Sequence, residues 1–331
     1  MQYPLLARVK VRILALDGGG VRGWLEAGIL AQLESRLAQR TGNANLRIVD
    51  YFDIISGTST GGLLTGLLCH PNRYSCIEIQ KLYAERMTEV FSRTLLQKLS
   101  NPDGLEGPLY SDDGIVNVVK EIAGILKMTD LPKPILLGAY DLSRVKPTFL
   151  CNRPLNGILE DFYLADAMRA TSSAPTYFPP AQITSLSNNN YVFVDGGLTA
   201  NSPSLTALLL APKLVSTRPY ATVLLSLGAG DERNMYSLDK LQKAGKLGWV
   251  QPLINILIAG QSSLVDWQCA EIFSGSTRDA YFRLNPVLSL TSGALDDCSA
   301  TNLANMNTDL QAYLALTTTQ VQLDAVCQAL L

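Results

Sequence analysis

The chain has 331 residues, of which 47% are hydrophobic and 17% charged, and its formal net charge at pH 7 is -2. This composition excludes a disordered chain, and so small a charge leaves no basic field that could hold a nucleic acid. The six cysteines are too sparse for a disulfide framework and lack the close pairs of a zinc site, so we expect reduced thiols, no metal site and no cofactor.

The N-terminal segment and two uncharged stretches are the parts of the chain that could carry a targeting signal or a membrane span. The first motif begins at residue 17, which leaves no room for a removable signal peptide and predicts a cytoplasmic protein. Residues 54–72 and 247–265 are uncharged and long enough to raise the question of a membrane span. Polar, Gly and Pro residues interrupt both, so we expect buried helices and turns and no transmembrane segment.

The first predicted strand covers residues 11–16 and ends in a glycine-rich motif, DGGGVRG, at residues 17–23. Apolar residues at four-residue spacing from 25 to 37 then predict a core-facing helix. One hypothesis for the motif is a dinucleotide site, which would need a second strand ending in an acidic residue about 20 residues further on. The other is an oxyanion hole, in which bare backbone N–H groups face a reacting carbonyl.

The second predicted strand runs into GTSTG at residues 57–61 and out into an apolar helix. This pattern is typical of a nucleophile elbow built on Ser59. The turn is so tight that a Cβ at Gly57 or Gly61 would collide with neighbouring backbone. The alternative is a structural serine in a glycine-rich turn.

The middle of the chain alternates predicted helices and strands, as an α/β protein requires. A loop at residues 101–114 is either a flap over the site or a plain surface connection. The predicted helices cover residues 74–100, 115–126 and 165–174, and the predicted strands cover 134–141 and 148–151.

A further strand at residues 191–194 ends in Asp195-Gly196-Gly197. An acidic residue at a strand end, beside two glycines that allow close approach, is a candidate catalytic group, and its alternative is an Asp that shapes a turn. Strands at 220–227 and 279–284 and helices at 253–267 and 302–331 complete the chain. Trp249 and Trp267 are expected in the core, and residues 1–331 are expected to form one domain.

The base that would activate Ser59 is restricted by the amino-acid inventory. The only histidine is His70, eleven residues after Ser59. A regular helix would place it roughly 16 Å away. A Ser-His-Asp triad is therefore excluded unless the helix breaks, and the base must be a carboxylate or a lysine. Asp195 is the best-placed carboxylate, and a dry site would have to raise its proton affinity.

These motifs, in this order, resemble the patatin-like phospholipases, and further similarity at residues 173–180, 225–228 and 249–267 extends the resemblance over nearly the whole chain. It implies an α/β fold, a three-layer α/β/α sandwich with a mainly parallel central sheet. It also implies a Ser-Asp dyad of Ser59 and Asp195. In this family's pattern the backbone of Gly18, Gly19 and Gly20 forms the oxyanion hole, and Arg22 supports the loop.

The resemblance implies a lipid acyl hydrolase that cleaves ester bonds of phospholipids or related glycerolipids. Two other functions stay open: a dinucleotide-binding protein, and a non-catalytic lipid-binding module that keeps the fold. Membrane contact is expected to be peripheral and weak, because no basic amphipathic helix is evident. An exposed apolar rim around the site would have to provide it.

Overall fold

The computed structural model describes residues 9–94, 101, 107–215, 220–232 and 238–331. The strands are β1 (Lys10–Leu16), β2 (Ile54–Thr58), β3 (Ile135–Asp141), β4 (Lys146–Cys151), β5 (Ala181–Thr184), β6 (Asn190–Asp195), β7 (Ala221–Leu227), β8 (Asp231–Glu232), β9 (Ala280–Leu284) and β10 (Val287–Leu288). The α-helices are α1 (Gly23–Thr41), α2 (Thr60–Leu68), α3 (Cys76–Val90), α4 (Asp113–Ala123), α5 (Leu164–Thr171), α6 (Gly197–Ala200), α7 (Ser204–Leu214), α8 (Leu238–Gln242), α9 (Lys246–Phe273), α10 (Ala300–Ala315) and α11 (Thr317–Leu330).

The central sheet has the strand order β5-β6-β3-β2-β1-β7-β9, with β4 paired to β3. Its five central strands, β3, β2, β1, β7 and β9, are mutually parallel. Antiparallel pairs occur where β4 and β6 join β3 and where β5 joins β6. The mainly parallel sheet expected from the sequence is confirmed.

Strands β2 and β6 share one edge of β3. Strand β4 pairs with β3 over residues 136–141, so it fills the opposite edge. On the free edge β2 runs parallel to β3 and ends with Thr58 opposite Gly138. Strand β6 runs antiparallel to β3 and ends with Asp195 opposite Ala139. The C-terminal ends of β2 and β6 therefore meet head-on.

The side chains of the buried strands divide between two apolar layers. Because successive strand residues point to opposite faces, Val11, Ile13 and Ala15 of β1 pack with α7 and α9, whereas Leu14 and Leu16 face the other side. That second side is covered by α1 to α5 and by the C-terminal helices α10 and α11. Helices on both faces of one sheet form the three layers, α/β/α, that the sequence predicted.

Several predicted boundaries differ from those in the structure. The helix expected over residues 302–331 is two helices, because the chain turns at Leu316, which has extended backbone angles. The helix expected over 165–174 ends at Thr171. Strand β5 was not predicted, since its four residues carry too short a pattern. Part of the helix predicted at 74–100 and part of the loop predicted at 101–114 lie outside the described residues.

The expectation that Trp249 and Trp267 lie in the core is wrong. They are 39% and 61% exposed, and both lie on the outer side of α9. Among the residues of this helix whose burial is described, Val265 and Cys269 alone are buried against the sheet. The segment 247–265, expected to be buried, is thus largely at the surface. Among the helices of the described residues, none combines the length and apolar character needed to cross a membrane.

The expectation of one domain over residues 1–331 leads to a prediction about truncation. Strand β7 pairs with β1 along all of residues 10–16, so a chain ending at residue 215 would expose that edge. We expect the full chain to melt in one cooperative transition by circular dichroism and the truncated chain to show none. A cooperative transition in the truncated chain would indicate two domains.

Candidate active site

Ser59 occupies a strained position between β2 and α2. Its backbone angles are φ 54° and ψ −122°, a combination that residues other than glycine rarely adopt. A Cβ on Gly57 would lie 2.0 Å from the carbonyl oxygen of Gly61, and one on Gly61 would lie 2.2 Å from that of Leu16. The two glycines therefore permit the sharp turn, which leaves Ser59 half-buried at the end of the sheet.

Thr171 ties the elbow to the neighbouring strand. Its hydroxyl accepts a hydrogen bond from the Ser59 N–H at 3.0 Å and donates one to the carbonyl of Gly138 in β3. Thr171 lies in the helix predicted over residues 165–174, but this contact was not predicted. The run Thr-Ser-Ser at the end of that helix was the available signal, since hydroxyl side chains at helix ends often bond to backbone.

Asp195 lies at the end of β6, 4% exposed, and its carboxylate lies close enough to the Ser59 hydroxyl to interact with it. The N–H of Gly197 donates to its Oδ1 at 2.7 Å. Burial raises the pKa of Asp195 to about 7, although the interactions with Ser59 and Gly197 oppose the rise. Gly196 must lack a side chain, because a Cβ there would lie 2.5 Å from the backbone of Gly138.

The glycine-rich loop after β1 lies beside the elbow. A Cβ on Gly18 would be 3.2 Å from the Cβ of Ser59. The Gly18 N–H donates to the carbonyl of Asn201 at 3.1 Å, so it is engaged within the protein. Within the described part of the chain, the N–H groups of Gly19 and Gly20 have no such acceptor. Of the three predicted oxyanion donors, these two remain available.

Asn201, which was not predicted as a site residue, follows the short helix α6. Its side-chain amide donates to the carbonyl of Gly18 at 3.2 Å and to the hydroxyl of Ser262 at 2.9 Å. It thus connects the glycine-rich loop to α9. No local sequence pattern predicts the contacts of Asn201 with Gly18 and Ser262, because these residues are far apart in the chain.

Arg22, predicted to support the loop, is buried. Its Nη1 forms an ion pair of 2.9 Å with Glu232 in β8, and its Nε donates to the carbonyl of Gly19 at 3.4 Å. The guanidinium therefore connects the loop to the edge of the second, two-stranded sheet of β8 and β10.

Asp17 begins the glycine-rich loop and is 2% exposed. Its carboxylate pairs with Arg283 of β9 at 2.7 Å, and Arg283 also donates to Ser226 in β7. The backbone N–H of Asp17 donates to the side chain of Glu26 at 2.9 Å. Burial and the neighbouring Asp17 raise the pKa of Glu26 well above its usual range.

His70 lies beyond the end of α2, away from Ser59. It is 7% exposed, and its Nδ1 accepts a hydrogen bond from the N–H of Asn72 at 3.1 Å. Its ring is tilted against that of Tyr74, with the centroids 5.3 Å apart. These contacts give His70 a structural environment at the far end of the elbow helix.

A cleft of about 360 Å³ opens beside the glycine-rich loop. It is lined by Asp17, Gly18 and Asn201 on one side and by α9 residues, among them Asn255 and Ser262, on the other. A larger open groove of about 800 Å³ lies against α1 and α3 and contains none of the predicted site residues.

The dinucleotide hypothesis finds no support in this geometry. The strand after α1 ends at Thr58 and the elbow, not at an acidic residue. The space that the loop glycines leave free is filled by protein: Cβ atoms on Gly19 and Gly20 would collide with Ala229 and Leu295. A dinucleotide fingerprint needs that space for the pyrophosphate.

Comparison with known proteins agrees with the fold and the motifs. The family described as patatin-like phospholipase matches residues 14–208. The chain therefore belongs to the patatin-like phospholipase family, and its membership supports lipid acyl hydrolase activity in general.

Individual relatives match over most of their length. Patatin-like protein 2 of Arabidopsis thaliana is 30% identical over 96% of this chain and 86% of its own length. Patatin-2-Kuras 3 of Solanum tuberosum is 30% identical over 88% of this chain and 81% of its own length. Patatin-like protein 2 of Oryza sativa subsp. indica is 29% identical over 89% of this chain and 82% of its own length. A solved structure of VipD from Legionella pneumophila covers 92% of this chain and 67% of its own, with 11% identity and a TM-score of only 0.38.

The ion pair of Asp17 and Arg283 leads to a stability prediction. Replacing Arg283 by Met leaves a buried carboxylate without its partner, which typically costs about 3–5 kcal/mol. We expect that loss in the free energy of unfolding measured with urea. The matched control is Arg73→Met, which breaks an exposed pair with Asp50 and should cost less than about 1 kcal/mol. Equal losses in the two variants would contradict the prediction.

Proposed function

We propose that this protein is a serine esterase of the phospholipase A type, which cleaves carboxylic ester bonds of phospholipids or related glycerolipids through an acyl-enzyme on Ser59. The observation that carries the proposal is the head-on meeting of β2 and β6, which brings the Ser59 hydroxyl against the buried carboxylate of Asp195. A strained serine and a desolvated carboxylate in contact are the two groups that acyl transfer requires.

Asp195 is proposed as the base. An ordinary carboxylate is too weak to take the proton of a serine hydroxyl, but burial raises the pKa of Asp195 to about 7, close to the pH at which a general base works best. The N–H of Gly197 holds one oxygen of the carboxylate at 2.7 Å and so fixes its orientation. The described structure gives His70 other contacts, so it does not compete for this role.

In the proposed reaction, the Ser59 oxygen attacks the carbonyl carbon of the ester while its proton passes to Asp195. The tetrahedral intermediate collapses, the ester C–O bond breaks, and Asp195 returns the proton to the leaving alcohol. Water then attacks the acyl-enzyme and gives its proton to Asp195, and the fatty acid leaves as Ser59 recovers its proton.

Negative charge develops on the carbonyl oxygen during both steps. We propose the N–H groups of Gly19 and Gly20 as its donors, supported by their lack of acceptors among the described residues. The N-terminus of α2 adds a favourable dipole beside Ser59. Asn201 and Arg22 would position this loop without touching the substrate.

A non-catalytic lipid-binding module is the competing function, and family membership alone does not exclude it. A relative from Solanum tuberosum, 29% identical to this chain, is named "Probable inactive patatin-3-Kuras 1". The present chain keeps Ser59 in the strained elbow and Asp195 in contact with it, which favours catalysis.

The test is hydrolysis of medium-chain aryl esters and of dispersed glycerolipids by the wild type and by single variants. Ser59→Ala and Asp195→Asn should each lower kcat/KM by about 10²-fold or more, because one removes the nucleophile and the other cannot accept its proton. Mass spectrometry should detect acylated Ser59 in the wild type under rapid quench.

The matched control for these variants is His70→Gln, which alters a buried polar side chain just beyond the C-terminal end of α2. It should change kcat/KM only a few-fold and act mainly on stability. If His70→Gln lost activity while Asp195→Asn retained it, the Ser-Asp assignment would be wrong.

The pKa of Asp195 also predicts a pH dependence. Since the base form is the carboxylate, kcat/KM should rise with pH and level off above about 7. The raised pKa means that the folded state binds the proton more tightly than the unfolded state, so stability falls as pH rises from about 4 to about 7 and the loss is constant at higher pH. Asp195→Asn removes that loss, and its melting temperature should exceed that of the wild type by a margin that grows from pH 5 to pH 7 and then stays the same.

A further inference from the structure

Helix α9 carries a continuous apolar face that no part of the described chain covers. Six large side chains on one side of the helix form this apolar stripe: Trp249, Leu253, Ile256, Leu257, Leu264 and Trp267. Each is at least 39% exposed, and Trp267 reaches 61%. At 1.5 Å per residue the stripe is about 27 Å long. The sequence between Lys246 and Asp266 contains no charged residue.

The opposite face of the same helix reaches the proposed active site. Ser262 accepts a hydrogen bond from Asn201 at 2.9 Å, and Gln261 accepts one from the N–H of Ser202 at 3.0 Å. Asn255 and Ser262 line the cleft together with Gly18. The apolar stripe is therefore separated from the cleft by only the thickness of one helix, about 10 Å.

The orientation of this helix is thus the reverse of that of an ordinary surface helix, whose apolar face packs against the core. Gln261 and Ser262 point inward and bond the segment beside the glycine-rich loop, whereas most of the large apolar residues point outward. An exposed apolar face of this length costs free energy in water and marks an interaction site. Tryptophans stand at both ends of the stripe, and tryptophan is the side chain that concentrates at the boundary between lipid and water.

We propose that the apolar stripe of α9 is the surface by which this protein docks on lipid aggregates, with the helix lying in the interface and the cleft beside it. This inference rests on the proposed function, because a hydrolase of glycerolipid acyl chains must reach a substrate that is packed in an aggregate. A lipid surface is favoured over a protein partner because the stripe contains no charged residue by which a protein could be selected, and because a tryptophan stands at each end of it.

The chemistry of the stripe specifies the kind of surface. Interfacial helices that bind anionic membranes carry Lys and Arg on their polar face, whereas the polar face of α9 is occupied by the protein itself. Docking then depends on apolar burial alone. Binding should be equally strong on zwitterionic and anionic vesicles and should not weaken with salt.

The experiment measures sedimentation with phosphatidylcholine vesicles, with and without phosphatidylglycerol, and turnover of two substrates, dispersed glycerolipid and a short-chain ester kept monomeric in solution. The variants are Leu264→Gln and Trp267→Gln. The control is Val321→Gln, which alters a side chain of α11 that is 63% exposed and far from the stripe in sequence. Glutamine forms helices well, so each variant should fold, as circular dichroism will check.

Each stripe variant should weaken vesicle binding and slow turnover of the aggregated lipid by about tenfold, the effect of losing one buried large apolar side chain. Val321→Gln should match the wild type in both. Unchanged vesicle binding in both stripe variants would overturn the proposal, and so would binding that needs phosphatidylglycerol and disappears in salt. A wild-type dimer that Leu264→Gln separates in analytical ultracentrifugation would also overturn it, because a second copy would then cover the stripe.

The soluble ester separates the two proposals. If the wild type binds vesicles and loses binding in the stripe variants but hydrolyses neither substrate, docking stands and the proposed esterase function fails. If the wild type and all the variants hydrolyse the soluble ester, and all bind vesicles equally well, the esterase function stands and docking fails.

Discussion

The structure depends on one constraint: β2 and β6 pair with the same edge of β3. Because β4 fills one side of β3, both β2 and β6 must use the other, and they do so from opposite directions. Neither strand can extend further without colliding with the other, so each ends in a turn, one at Ser59 and one at Asp195. The tight glycines follow from this constraint: Gly196 passes within 2.5 Å of the backbone of β3, where a side chain would not fit.

The junction between the strands also sets the electrostatics. The carboxylate at the end of β6 has lost nearly all its water, and the N–H of Gly197 and the nearby Ser59 hydroxyl stabilise its charge. The glycine-rich loop nearby contains a second buried carboxylate, Asp17, but there Arg283 supplies a full countercharge. Burial raises the pKa of both Asp17 and Asp195, but Asp17 has an ion-pair partner whereas Asp195 has none among the described residues.

Much of this was predictable from the sequence, and the reasons are local. The glycines of the elbow, the apolar strands and the lack of a histidine near Ser59 all follow from patterns within about a dozen residues. The alternating burial of β1 also follows from its own side chains.

What could not be predicted depends on residues that are distant in the chain. The engagement of the Gly18 N–H by Asn201 and the pair of Asp17 with Arg283 join segments about 180 and 270 residues apart, for which no periodicity exists. Helix α9 was misjudged for another reason. Uncharged, tryptophan-bearing sequence normally indicates a core, and the pattern alone does not say which face of the helix the sheet will take. Arg283 and Ser262 also lie beyond residues 14–208, the part of the chain that matches the family.

The head-on arrangement has a consequence for the newly synthesised chain. The elbow is complete once β1, β2 and the first helices have formed, but its partner carboxylate arrives 136 residues later, on a strand that must run backwards into place. A chain that has emerged only as far as β4 holds Ser59 with no buried carboxylate beside it. The contact between Ser59 and Asp195 therefore appears only once the sheet is closed.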